Sequence, residues 1–373
     1  MPLLNAKGRG ARSNAGGRYE AFTRGELDDG WDATDEPKPL RTELTAETAR
    51  TIITRNDSPD LGFDRTINPY RGCEHGCIYC YARPSHAYMG LSPGLDFESK
   101  LFFKPEAARL LERELSNPHY RCERIQLGAN TDPYQPIERK LRITRSVLEV
   151  LDRFNHPVGI TTKSALVTRD LDILGSMAER GLAKVAVSVT TLDRRLARAM
   201  EPRCATPERR LDAIRALSAA GVPTIVSYSP VIPALNDHEL EGVLERAAEA
   251  GAREATMVLL RLPLEIKDLF AEWLEAERPD RAKRVMSLLR QSRGGAIYRS
   301  DFGVRMEGEG PVYALIAQRF AAACRRFGLS RGVAPLETGL FRRPDAADRP
   351  SSWRAAAARM SASNSPIPPP SRV

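Results

Sequence analysis

The chain has 373 residues, a hydrophobic fraction of 42% and a mean hydropathy of −0.38. That is enough for one large α/β core with an extra module, and no stretch approaches the roughly 20 apolar residues that a membrane span requires. A net charge of +8 and a pI near 9.3 point toward an anionic partner.

The first 17 residues are rich in Gly, Asn and Arg and carry no apolar h-region, so a secretory leader is not expected and the chain reads as cytoplasmic. Residues 1–50 lack apolar periodicity and read as a disordered N-terminal arm. From 51 to 265, short β-rich runs alternate with helical runs. A strand is expected just before Cys73, then at 124–128, 157–162, 184–190, 223–229 and 254–260. Helices are expected at 105–115, 144–154, 170–180, 207–220 and 237–250.

Repetition of this unit with one crossover hand curls a parallel sheet, and about six strands predict an α/β fold, a partial (βα)6 TIM-like barrel. Reactive groups then gather at the C-terminal strand ends, within 71–83, 128–135, 162–164, 188–193, 229–236 and 260–264. Residues 266–340 read as a helical C-terminal extension. Within it, Arg281, Lys283, Arg284, Arg290, Arg293 and Arg299 form a basic stretch that is either a solvated helix face or a contact surface for nucleic acid or phosphate. The glycines near 303–310 read as a turn before a helix at 312–327. Residues 341–373, Arg- and Pro-rich, read as a disordered basic tail.

Six cysteines in a chain without an export signal serve metals or catalysis more readily than disulfides. Cys73, Cys77 and Cys80 fall in one loop, spaced C-x3-C-x2-C, whereas Cys122, Cys204 and Cys324 are scattered and read as ordinary buried thiols. Three thiolates in one loop can hold a cubane cluster whose fourth iron stays open to a small chelating molecule. The rival is a structural zinc site completed by His75 or His86, on a nucleic-acid-binding protein.

The loop from Asn68 to Arg83, with Tyr79 just before the last cysteine, resembles the signature of the radical S-adenosylmethionine superfamily. Further runs, Gly128-Ala-Asn-Thr-Asp-Pro-Tyr134, Thr161-Thr-Lys-Ser164, Val187-Ser-Val-Thr-Thr-Leu-Asp193 and Glu201-Pro-Arg203, are similar to those of its spore photoproduct lyase-like branch over about residues 55–265. The resemblance implies a radical S-adenosylmethionine enzyme. It would have a 4Fe-4S cluster on the three cysteines, S-adenosyl-L-methionine on the open iron, and an external one-electron reductant of flavodoxin or ferredoxin type. It further implies that Asn130, Thr131 and Asp132 face the cofactor's amino group and that Lys163 and Ser188 contact its carboxylate or ribose. Tyr79 would pack on the cofactor site, and Tyr81 would relay a radical. An amino acid moiety does need an acceptor and a cation, which Asp132 and Lys163 supply at neighbouring strand ends. Arg203 is placed to reach a carboxylate.

One departure stands out. The branch's namesake carries a hydrogen-donor cysteine just before its Ser/Thr-Asp run, where this chain has Ala129-Asn130, so repair of a thymine lesion is not expected.

Overall fold

Runs of Val, Ile and Ala bounded by Gly or Pro become strands buried on both faces, as a parallel sheet covered by helices demands. The computed structural model describes residues 9–20, 40–331 and 335–344. In chain order these form β1 (Glu43–Ala46), β2 (Ile53–Arg55), β3 (Arg65–Ile67), β4 (Tyr70–Arg71), α1 (Leu95–Ser99), β5 (Lys100–Phe103), α2 (Ala107–Leu115) and β6 (Ile125–Leu127). Next come α3 (Glu138–Leu141), α4 (Ile143–Arg153), β7 (Val158–Thr162), α5 (Leu171–Glu179), β8 (Ala183–Ser188), α6 (Arg194–Met200), α7 (Pro207–Ala219) and β9 (Thr224–Val231). The series closes with α8 (Leu240–Glu249), β10 (Glu254–Leu259), α9 (Ile266–Glu277), α10 (Pro279–Gln291) and α11 (Gly310–Phe327).

The main sheet runs β10-β9-β8-β7-β6-β3-β2. Strands β3 and β6 to β10 pair in parallel, and β2 is antiparallel at the edge. These are the six parallel strands expected, in an open arc: among the described residues no pairing joins β10 to β2. The inward stripe of each helix is apolar, as with Leu110 and Leu111 of α2 and Val147, Leu148 and Leu151 of α4, all buried against the strands. A small second sheet, β1-β5-β4, lies beside the cysteine loop.

Residues 9–20, assigned to the arm, pack onto the core. Ala11 is buried, the amides of Gly10 and Ala11 donate to the buried Glu98 carboxylate at 2.9 and 2.8 Å, and Ser13 Oγ donates to Glu272 at 2.8 Å. Backbone amides satisfied by a buried acid hold a segment that has no apolar pattern of its own. At the other end, Phe341 stacks on Phe154 and meets His156 edge to face, and Arg343 donates to the Asn117 carbonyl at 2.9 Å. Residues 1–8 and 21–39 of the arm and 345–373 of the tail, including Arg349, Arg354, Arg359 and Arg372, lie outside the described residues.

The basic stretch is likewise divided. Arg293 is buried and donates to the Leu260 and Glu307 carbonyls at 2.8 and 3.2 Å, tying the extension to the end of β10. Arg299 pairs with Asp301 and Glu309, whereas Lys283, Arg284 and Arg290 face solvent on α10. No helix of the described residues is long and apolar enough to cross a membrane.

Candidate metal and cofactor site

The loop that carries the three cysteines is fixed through its backbone. Cys73 N–H donates to the Phe97 carbonyl at 3.0 Å, Cys80 N–H to the Cys77 carbonyl at 3.1 Å, and Ile78 N–H to the Met200 carbonyl at 3.0 Å. Beneath it lies the fully buried Arg83. Its guanidinium donates to the carbonyls of Cys77 (2.9 Å), Gly76 (3.0 Å), Pro93 (3.1 Å) and Gly94 (2.9 Å), and pairs with the equally buried Glu98 at 2.5 Å. Such a pair is stable in the interior because every donor of the cation has an acceptor. Gly76, at φ +66, must be glycine: a Cβ there would sit 2.7 Å from Glu98 Oε2.

Four further side chains join this loop to the strand ends. Gln135 accepts from the Glu74 amide at 2.9 Å and donates to the Gly72 carbonyl at 3.3 Å. Glu74 pairs with Arg203 at 3.2 Å and accepts from Thr42 Oγ1 at 2.7 Å. His75 Nδ1 lies 3.2 Å from Asp132 Oδ2, with Cys73 as its second partner. Burial opposes the charge on both groups, but their mutual attraction outweighs it: the Asp132 carboxyl falls to about 2 and the His75 imidazole rises well above its ordinary value. Asp132 also accepts from Thr162 Oγ1 (2.7 Å) and from the amides of Lys163 (2.8 Å) and Tyr134 (2.9 Å). Through these contacts Asp132 links the cysteine loop to the end of β7.

The other anticipated residues gather around the same mouth. Gly128, at φ +85, turns the chain out of β6 so closely that a Cβ would meet the Thr161 carbonyl at 2.1 Å. Asn130 follows with its amide bonded to Asn68 Oδ1 at 3.1 Å, and Thr131 Oγ1 donates to the Tyr70 carbonyl at 3.2 Å. Lys163 Nζ lies 5.7 Å from the centre of the Tyr79 ring, and its charge reaches Cys77. Ser188, at the end of β8, donates to the Ser229 carbonyl at 3.1 Å. Arg203 pairs with Glu74 at 3.2 Å, its amide bonded to the His75 carbonyl at 3.3 Å.

Tyr79 and Tyr81 go separate ways. Tyr79 is buried and its hydroxyl donates to Glu201, which is also held by the buried Arg210 and by Thr190 at 2.7 Å. Tyr81 is exposed beside the cysteines, its hydroxyl donates to the Ala129 carbonyl, and the Arg261 guanidinium lies 5.3 Å from its ring centre. The place where the resemblance would put a thiol is thus a backbone carbonyl capped by Tyr81. Cys122, before β6, is a half-buried thiol whose pKa burial pushes up to about 12, and Cys324 is buried in α11.

Cys204 is not an ordinary buried thiol. Its Sγ lies 3.6 Å from Cys77 Sγ, and that contact is the chief cause lowering the Cys77 pKa, helped by Lys163 and His75. Glu201 and Cys204 reach this region through Tyr79 and Cys77, contacts that the sequence does not announce. Glu201 stood in a run noted only for Arg203, and nothing local couples positions 77 and 204.

Among the described residues no group of three or more His, Cys, Asp or Glu side chains is arranged around a single ion. His75 is bound to Asp132, and His86 Nε2 faces the Lys100 carbonyl at 2.9 Å with its ring against Phe97 and Phe102. Three free thiols spread along one loop, ringed by Lys163, His75 and Arg83, suit a cluster that takes one thiolate per iron. Cys204 touches Cys77 rather than filling a fourth corner.

A model of the radical SAM superfamily matches residues 67–247. An uncharacterized protein of Mycobacterium tuberculosis is 37% identical over 233 residues, covering 62% of this chain and 68% of its own. Another from Methanocaldococcus jannaschii is 30% identical over 178 residues, 48% of this chain and 64% of that one. Among solved structures, a spore photoproduct lyase mutant with bound AdoMet and dinucleoside spore photoproduct superposes with a TM-score of 0.53 at 16% identity, over 77% of this chain and 81% of that one. At that identity the likeness shows a shared fold.

Proposed function

The chain belongs to the radical SAM superfamily, and from that premise we propose that Cys73, Cys77 and Cys80 hold a 4Fe-4S cluster whose open iron binds S-adenosyl-L-methionine to begin radical chemistry on an anionic substrate. The observation that carries this reading is the three free thiols on one rigid loop, held at the C-terminal ends of six parallel strands and faced by cations. When bound, the cluster and the sulfonium cofactor supply a one-electron cleavage that yields a 5′-deoxyadenosyl radical able to take hydrogen from a substrate.

The chain's own residues prepare that chemistry. Arg83 and Glu98 keep the loop rigid, and His75, pinned by Asp132, sets a positive charge beside Cys73. Lys163 offers a cation to the cofactor's carboxylate, while Asn130 and Thr131 line the side where its amino group would lie. Ser188 is placed for the ribose, and Tyr79 packs beneath with its hydroxyl tied to Glu201. Tyr81 borders the open mouth and is the proposed relay. Arg261, stacked on Tyr81 with no ion pair among the described residues, supports an anionic group on the substrate.

Anaerobic reconstitution followed by dithionite and S-adenosyl-L-methionine tests the proposal. About four irons per chain and formation of 5′-deoxyadenosine are expected, with both lost in Cys77→Ala. One zinc per chain with no iron would overturn it. Tyr81→Phe should keep 5′-deoxyadenosine formation and lose substrate turnover if the relay is correct.

A further inference from the structure

A cavity of about 570 Å³ opens between α6, the loop 201–206 and α9. Arg194, Arg195 and Arg198 stand exposed along it, while the half-buried Cys204 and the buried Glu201 line its inner part. The acids nearby do not cancel this charge. Glu201 is taken by Arg210, Glu277 by Arg12 at 2.7 Å, and only Arg194 has a distant partner, Glu208 at 3.8 Å. Arg195 and Arg198 make no ion pair among the described residues.

Cys204 is one of the residues lining this cavity, and its sulfur is in contact with that of Cys77 at 3.6 Å. Protein surface and proposed cluster ligand are therefore separated by one side chain. Tyr81, Ala129 and Arg261 at the barrel mouth are not among the lining residues, so the cavity gives a second approach, independent of the substrate's.

We propose that this arginine-lined cavity is the docking surface for an acidic one-electron carrier protein, and that the electron passes through Cys204 and Cys77. The inference rests on the cluster assignment above. The carrier is oxidised by one electron and the cluster reduced by one, with no atom or proton transferred. A positive surface steers an acidic carrier into place, and redox encounters of this kind use small interfaces, which a short helix and its neighbouring loop can provide. A nucleic acid would be drawn by the same charge, but it has no use for a cavity whose lining includes a sulfur touching Cys77.

The test uses the reconstituted full chain with a reduced flavodoxin as probe, following loss of the cluster's visible absorbance in a stopped-flow instrument. The triple variant Arg194→Glu, Arg195→Glu, Arg198→Glu should slow reduction by flavodoxin by about tenfold or more, and the wild-type rate should fall with added salt. The milder Arg195→Gln, Arg198→Gln variant should lie between. Reduction by dithionite should be the same in all three, which separates docking from damage to the site. An equal flavodoxin rate in wild type and triple variant overturns the inference. So does a variant that loses single-stranded RNA binding while keeping that rate. A wild-type chain that assembles no cluster overturns the assignment itself, whereas a cluster reduced equally by flavodoxin in every variant overturns only the docking surface.

Discussion

The thiol of Cys204 lies 3.6 Å from the sulfur of Cys77, across 127 residues of sequence. Burial and the neighbouring Cys77 hold Cys204 well above the ordinary thiol range, while the Cys77 pKa is lowered. As a cluster ligand Cys77 would be a thiolate, so in the proposed loaded state Cys204 is the donor and Cys77 the acceptor. A hydrogen bond to a cluster sulfur favours the reduced state. Cys204→Ala should lower the midpoint potential by on the order of a few tens of mV, the one-electron equivalent of a weak hydrogen bond. Cys204→Ser should restore much of that loss. A redox titration followed by EPR checks it, and an unchanged potential in the alanine variant would refute the donor role.

The buried Arg83–Glu98 pair predicts a stability effect. Glu98→Ala leaves the guanidinium uncompensated and releases the amides of Gly10 and Ala11. Loss of one partner of such a pair costs roughly 3–5 kcal/mol, whereas an apolar replacement of both costs less. The denaturant midpoint of Glu98→Ala should accordingly fall below that of the Arg83→Met, Glu98→Leu double variant. The reverse order would mean that the pair contributes little.

Two buried histidines set an acid limit. His156 Nδ1 donates to the Pro157 carbonyl at 3.0 Å, and its Nε2 lies 2.8 Å from the Tyr120 hydroxyl. Burial brings His156 and His86 each down to about 4 from an ordinary value near 6.5. As pH falls below about 6.5 the unfolded chain takes up these protons before the native one does. Stability is thus complete above that pH and is lost between about 6.5 and 4, by up to roughly 3 kcal/mol per residue. Denaturation of the wild type at several pH values, compared with a His86→Asn, His156→Asn variant, should show the steeper decline in the wild type. Parallel curves would contradict the assignment.

The fold was legible where local pattern decides it. Val158–Thr162 and Ala183–Ser188 are β-rich runs bounded by turns, and they form strands within two residues of the expected bounds. The cysteine loop was legible because its ligands are neighbours in sequence. What periodicity cannot carry is the partner of a polar group far away. Gly10 and Ala11 join the core through Glu98, Arg293 belongs to carbonyls at the end of β10 rather than to a basic face, and Asp132 turns to His75 rather than to the mouth. Each of these depends on a long-range hydrogen bond whose two ends look, in sequence, like ordinary solvated residues.

The central claim, an iron left open for the cofactor by Cys73, Cys77 and Cys80, is tested most directly by the EPR spectrum of the reduced, reconstituted chain before and after S-adenosyl-L-methionine is added. A reduced 4Fe-4S signal whose shape changes on addition is expected, because the cofactor's amino and carboxylate groups would ligate the open iron. A signal indifferent to the cofactor, or a chain that carries zinc and gives no signal, would contradict it.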